Sequence, residues 1–233
     1  MPKLKSTYLL IISMTMLLVN AFIIFSMASF DRMVYIIFFY HVASAWLSYI
    51  SFGISLICHI LYMTKKEIKW SLHGKNSVII GVAFSGFTLI TGSLWFNATS
   101  GNYNNIYWQW SDYRQTMTLI LFFSFLAYLV FGNMIENREK KARMTALLGI
   151  VLFPMVPLSF FSAIIFSSLH PLITPDPSQS GYIYWDGLKI FCLLINLIAI
   201  SIFYYYCMQE LLEIDKAKEQ LDIIIQKKKN EDS

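Results

Sequence analysis

The chain has 233 residues, 57% of them hydrophobic and only 14% charged, with a formal net charge of +4. Soluble domains carry about 25% charged residues, so this composition excludes an ordinary soluble domain, and no nucleic-acid signature accompanies the small positive charge. Cys58, Cys192 and Cys207 stand alone in or beside apolar runs without a C-x-x-C pair, so thiol-redox and zinc roles have no support. All three are expected to be buried free thiols.

Apolar runs long enough to cross a bilayer recur six times, which predicts an all-α fold: a polytopic bundle of six transmembrane helices. Span one covers about Tyr8 to Ala28, after a basic head with Lys3 and Lys5. It is too long for a signal peptide and lacks a small-residue cleavage site, so it reads as a retained helix. Span two runs from about Met33 to Met63, and its first turns should project beyond the hydrocarbon. Residues 64–76 read as a basic loop. Span three covers about Ser77 to Phe96, with Gly81, Gly86 and Gly92 allowing close helix approach.

Residues 97–106, rich in Asn, Ser, Gly and Tyr, are not expected to continue a helix comfortably. Span four covers about Thr116 to Met134, and residues 135–143 read as a second charged loop. In span five, about Met144 to Ser168, Pro154 and Pro157 should each bend the helix. A loop over 169–186 leads to span six, about Gly187 to Met208. The unit 1–208 is thus the membrane domain, and 209–233 a charged helical tail read as a solvated extension of span six.

Lysines and arginines number two in the head, four in 64–76, four in 135–143 and five in the tail, against only Arg32, Arg114 and Lys189 on the other side. The positive-inside rule then puts both termini in the cytoplasm of a cell inner or plasma membrane. The start of span two and the loops after spans three and five face outward.

The outward loop Tyr107 to Thr116 reads Y-W-Q-W-S-D-Y-R-Q-T. Trp and Tyr favour the headgroup level, because one end of each ring is apolar and the other wet, so an aromatic belt is one reading. Two histidines suggest another. His41 lies two turns into span two near the outer boundary, and His170 lies where span five leaves the membrane on the same side. A single ionisable group in a span normally bonds a neighbouring helix. Two that bracket a Trp-rich loop fit haem, whose iron takes two axial imidazoles and whose macrocycle wants aromatic and apolar walls. Its propionates need cations or donors, and the outer face offers Arg32, Arg114 and Lys189. Asp112 either orients Arg114 or caps span four. His59, about 27 Å of helix further along span two, and His73 in the basic loop read as a snorkelling and a solvated histidine.

These residues carry a resemblance. F-F-Y-H-V-A-S-A-W-L-S around His41, T-G-S-L-W from Thr91 to Trp95, and V-P-L-S-F-F-S through L-H-P from Val156 to Pro171 resemble the motifs of heme exporter protein C. That family belongs to the tryptophan-rich (WWD) haem-handling proteins of cytochrome c biogenesis. The family loop usually reads W-G-x-x-W-x-W-D-x-R-x-T; Trp108, Trp110, Asp112, Arg114 and Thr116 match it, but Ser111 is interposed and Asn104 and Asn105 replace the first W-G pair. Ala43 stands where a proline is usual. The similarity runs from about Arg32 to Ile200.

The resemblance implies a non-enzymic protein that binds haem b at the outer membrane face and hands it to a periplasmic haem chaperone. It implies His41 and His170 as axial ligands, Trp108 and Trp110 as the platform and Arg114 as the loop's basic residue. Arg32 matches a family arginine only roughly, about one helical turn further from the first histidine. It allows for associated ABC-type subunits and a small membrane subunit. The alternative is a haem b electron-transfer subunit of a respiratory complex, which usually stacks haems at two depths; only one outer histidine pair is present here. A haem-free permease would leave the outer histidines unexplained, and a single-complex cytochrome c synthase would have more spans and a large outer domain.

Overall fold

The computed structural model describes residues 2–26, 34–99, 105–166 and 187–231. These form seven helices: α1 (Pro2–Ser26), α2 (Val34–Lys65), α3 (Ile68–Thr99), α4 (Tyr113–Asn133), α5 (Arg138–Leu152), α6 (Met155–Ile165) and α7 (Gly187–Glu231). With α5 and α6 taken as one run, six are long and apolar enough to cross a membrane. The predicted all-α bundle of six spans is what the chain forms.

Helix limits differ from the sequence reading where charge stands in for a break. Residues 64–76 are not a loop: α3 already begins at Ile68, and the turn is Lys66 and Glu67. Charged side chains at the membrane edge are solvated without leaving a helix. What ends α2 is Lys66, at φ 57°, whose N–H closes back on the Tyr62 carbonyl (2.8 Å). Beside it the Lys69 ammonium, hydrogen-bonded to Glu67, holds that carboxyl below its ordinary range. Asn97 to Thr99 likewise stay helical. Residues 138–143 are the first turns of α5, capped by Asn137, which accepts from the Lys140 N–H (2.8 Å).

The two prolines make one break, not two. The chain interrupts at Phe153 and Pro154, between α5 and α6. Pro157 is the third residue of α6, where its missing N–H deprives no carbonyl. Beyond Met208, α7 continues unbroken to Glu231.

Apolar contact drives membrane helices together only weakly, so small residues and polar contacts decide the packing. Asn20 of α1 donates to the Cys192 carbonyl (2.8 Å) and to Asn196 Oδ1 (2.6 Å) of α7. Ser77 meets Tyr204 (2.7 Å) and Lys75 meets Asp215 (2.6 Å), joining α3 to α7. In the central core Phe52 stacks on Phe125 (3.9 Å between centroids), among Val78, Val82, Leu121, Tyr128 and Val156. Gly81 makes room for Phe52: a Cβ there would lie 2.7 Å from its ring.

His59 is neither snorkelling nor solvated. It is 0% exposed, with Nε2 3.0 Å from Ser55 Oγ and 3.1 Å from the Tyr128 hydroxyl. Its ring fits because α3 and α5 present glycines. A Cβ at Gly74 would come 2.6 Å from its Cε1, and one at Gly149 2.3 Å from its Cδ2. His59 is therefore a buried tie among α2, α3, α4 and α5. His73 is on α3, with Nδ1 donating to the Lys69 carbonyl (2.7 Å). Cys58 and Cys192 are buried, whereas Cys207 is only half-buried on α7; none of the three is in a disulfide.

Candidate functional site

Antiparallel pairing collects one end of the bundle. Along α2 and α3, His41 faces Thr91 and Ser44 faces Thr88 (both 3.0 Å). Along α4 and α6, Tyr113 stacks on Phe166 and Thr118 reaches Ser159 (3.3 Å). The start of α2, the end of α3, the start of α4 and the end of α6 therefore share a face of the bundle.

His41 lies two turns into α2. Its Nδ1 is 3.0 Å from Thr91 Oγ1, and its Cε1 rests on α3 at Gly92, where a Cβ would lie 3.0 Å away. One turn beyond Thr91, half-buried Trp95 packs on Phe38 of α2 (centroids 5.7 Å apart). The imidazole thus sits in a wall of small and aromatic groups from two helices.

The aromatic loop is tied to the same end. Asn105, at φ 61°, turns the chain back, and Asn97 of α3 donates to the Ile106 carbonyl (3.3 Å). Trp108 and Trp110 meet edge to face, 5.7 Å between centroids. Trp110 is 73% exposed. The Trp108 indole N–H, by contrast, is buried and has no acceptor among the described residues. A buried donor without an acceptor costs about 1–3 kcal/mol, so this N–H suits an incoming acceptor. The interposed Ser111 accepts from Gln109 Nε2 (2.8 Å), and Thr116 donates to the Trp110 carbonyl (3.1 Å), folding the loop over the first turn of α4.

Of the two roles open to Asp112, capping is the one observed. The residue is 3% exposed, and Oδ1 accepts from the backbone N–H of Arg114 (3.0 Å) and Gln115 (3.1 Å). Arg114 turns inward: Nη1 donates to the carbonyls of Ser159 (2.9 Å) and Phe160 (2.6 Å) on α6, and the guanidinium lies over the Tyr49 and Phe160 rings (5.8 and 5.7 Å). It ties α4 to the helix that leads towards His170. His170 and Arg32 lie outside the described residues. Among the described residues no group of three His, Cys, Asp or Glu is placed to hold a bare metal ion.

Sequence reading did not single out Thr91 as a partner of His41, nor Tyr49 and Phe160 as the seat of Arg114. Thr91 stood inside a quoted motif, so a signal was there. Tyr49 and Phe160 carried none, because an aromatic residue in an apolar span is unremarkable.

The sequence is similar to known proteins over most of this bundle. The family model described as heme exporter protein C matches residues 3–222. Heme exporter protein C of Bradyrhizobium diazoefficiens is 32% identical over 134 residues, 58% of this chain and 49% of the relative. The protein of that name from Rhodobacter capsulatus is 29% identical over 158 residues, 66% of this chain and 63% of the relative. That of Paracoccus denitrificans is 28% identical over 115 residues, 49% and 46% of the two chains. The matches thus span less than two thirds of each relative's length. With the family model running from α1 into α7, through His41, the aromatic loop and the α5–α6 break, the chain belongs to the heme exporter protein C family.

Proposed function

We propose that this chain is a haem carrier of cytochrome c maturation, which holds haem b at the extracytoplasmic membrane face and passes it to a periplasmic haem chaperone. His41 and His170 are the axial ligands, Trp108 and Trp110 the platform, and Trp95 a wall beside His41. Arg32 is the cation offered to the propionates, Arg114 braces the loop against α6, and Asp112 keeps the loop in register by capping α4. The observation that carries this reading is that His41, Trp95 and the Trp108–Trp110 pair share one end of the bundle, with a buried indole N–H awaiting an acceptor. A propionate oxygen is such an acceptor, and fused aromatic walls suit a flat macrocycle. The remaining partners are ABC-type subunits and a small membrane subunit of the same system.

The electron-transfer alternative is disfavoured by His59. A second haem at the inner depth needs an imidazole that can reach iron, and this one is enclosed by Gly74, Gly149, Ser55 and Tyr128.

Orientation follows from charge: fifteen of the eighteen lysines and arginines belong to the end opposite His41, so both termini and the α7 extension are cytoplasmic, in an inner or plasma membrane. Reporter fusions at Asn102 and Gly181 should read extracytoplasmic, and those at Gly74 and Asn137 cytoplasmic. A cytoplasmic signal at Asn102 removes an outer haem site altogether.

The platform is tested by Trp108→Ala and Trp110→Ala. Both variants should insert normally, because Trp110 is largely solvent-exposed and the loop lies outside the bundle core. Each should lose about 1 kcal/mol of aromatic contact with haem, some five-fold in retention. Handover to the chaperone at wild-type yield in both would return these rings to a headgroup belt.

A further inference from the structure

Thr91 Oγ1 has three polar neighbours: the Phe87 carbonyl at 2.8 Å, the Thr88 carbonyl at 3.2 Å and His41 Nδ1 at 3.0 Å. A hydroxyl has one hydrogen, and carbonyl oxygens only accept. If that hydrogen pointed at His41, two carbonyls would face the hydroxyl's lone pairs at close range. With the hydrogen on the Phe87 carbonyl, the usual bond of a helical threonine, the oxygen turns a lone pair to His41, and Nδ1 must donate. A neutral imidazole carries one N–H, so its lone pair is then on Nε2.

We infer that Thr91 is a positioning residue for His41, holding its imidazole in the Nδ1–H tautomer and so assigning Nε2 as the nitrogen that binds the haem iron. The inference rests on the haem-carrier reading. Thr91 is itself buried, and its neighbour Gly92 lies against the Cε1 edge of the ring, so tautomer and orientation are set by adjacent residues of one helix. Ser44 and Thr88, one turn deeper, close the same α2–α3 seam and hold the two helices in register. A hydrogen bond from the remote ring nitrogen makes an imidazole a stronger donor to metal, and its removal typically costs about 10–100-fold in affinity.

The test begins without haem. In the protein labelled with ¹⁵N-histidine, held in micelles at a pH where imidazoles are neutral, two-bond ¹H–¹⁵N spectra report each tautomer, and His41→Ala identifies the His41 signals. Wild type and Thr91→Ser should show Nδ1–H, and Thr91→Val should lose that preference. Haem titration should then show Thr91→Val binding about 10–100-fold more weakly than wild type, with Thr91→Ser restored to within a few-fold. An Nε2–H tautomer in the wild type overturns the inference even if Thr91→Val fails to fold. So does a Thr91→Val protein whose haem affinity is unchanged. A wild-type protein that takes up no haem overturns the carrier reading instead, and the two failures are distinguishable because the tautomer is read in the haem-free protein.

Discussion

Replacing His41 or His170 with alanine should abolish the six-coordinate low-spin spectrum of haem bound to the purified protein, with occupancy reduced at least about ten-fold. A nitrogen-to-iron bond is roughly 2 Å long, so a ligand on a rigid helix has no substitute among its neighbours. The proposed ligand His41 is held in this way: Thr91 and Gly92 fix its ring against α3. Imidazole added to the medium should partly restore either spectrum, because the proposed site lies at one end of the bundle. His73→Ala, on the first turns of α3 and far along the chain from this end, should leave the spectrum unchanged. An unaltered low-spin spectrum in the His41→Ala, His170→Ala double variant would show that the iron is held by other groups.

Gly149→Ala should destabilise the whole bundle while leaving the residues of the candidate site untouched. A methyl group there would stand 2.3 Å from Cδ2 and 2.6 Å from Nε2 of His59, distances that require the ring or the helix to move. The ring cannot swing away: Gly74 of α3 backs its other edge, and Ser55 and Tyr128 hold Nε2. Overpacking of this kind costs about 1–3 kcal/mol, occasionally more. His59→Ala should cost about 2–4 kcal/mol, because it opens a cavity and strips the Tyr128 and Ser55 hydroxyls of a buried partner. In the double variant the new methyl enters the space the ring has left. The two losses should then combine to less than their sum, by about 0.5–3 kcal/mol, as read from unfolding in mixed micelles. Strict additivity would mean that the glycines owe their place to something other than the imidazole. For the same reason His59→Ala is a poor spectroscopic control: any loss of haem in that variant would report unfolding.

The all-α class, the six spans and the family motifs were legible in the sequence because each depends on the chain locally. A run long enough to cross the hydrocarbon must be helical, since no water is there to satisfy the backbone. A cap such as Asp112 is read from residue type and position, although only the structure separated capping from orienting Arg114. Helix ends at charged segments were misread because lysines at the membrane edge are solvated on a helix as well as in a loop. Lys66 ends α2 through its backbone conformation, which composition does not reveal.

What tertiary structure alone decided is which polar groups meet. In a span that is apolar all round, periodicity does not say which face meets protein and which meets lipid, so interhelical partners are invisible from one chain segment. His41 and His59 lie in the same span with similar neighbours, yet one rests beside Thr91 near a helix end and the other is sealed between Gly74 and Gly149. Arg114 looked like an outward cation and instead reaches the Ser159 and Phe160 carbonyls, because α6 passes within hydrogen-bonding distance of α4 there. A buried donor or charge takes whichever partner the packing brings within about 3 Å, and that register is set by glycines and hydroxyls on other helices.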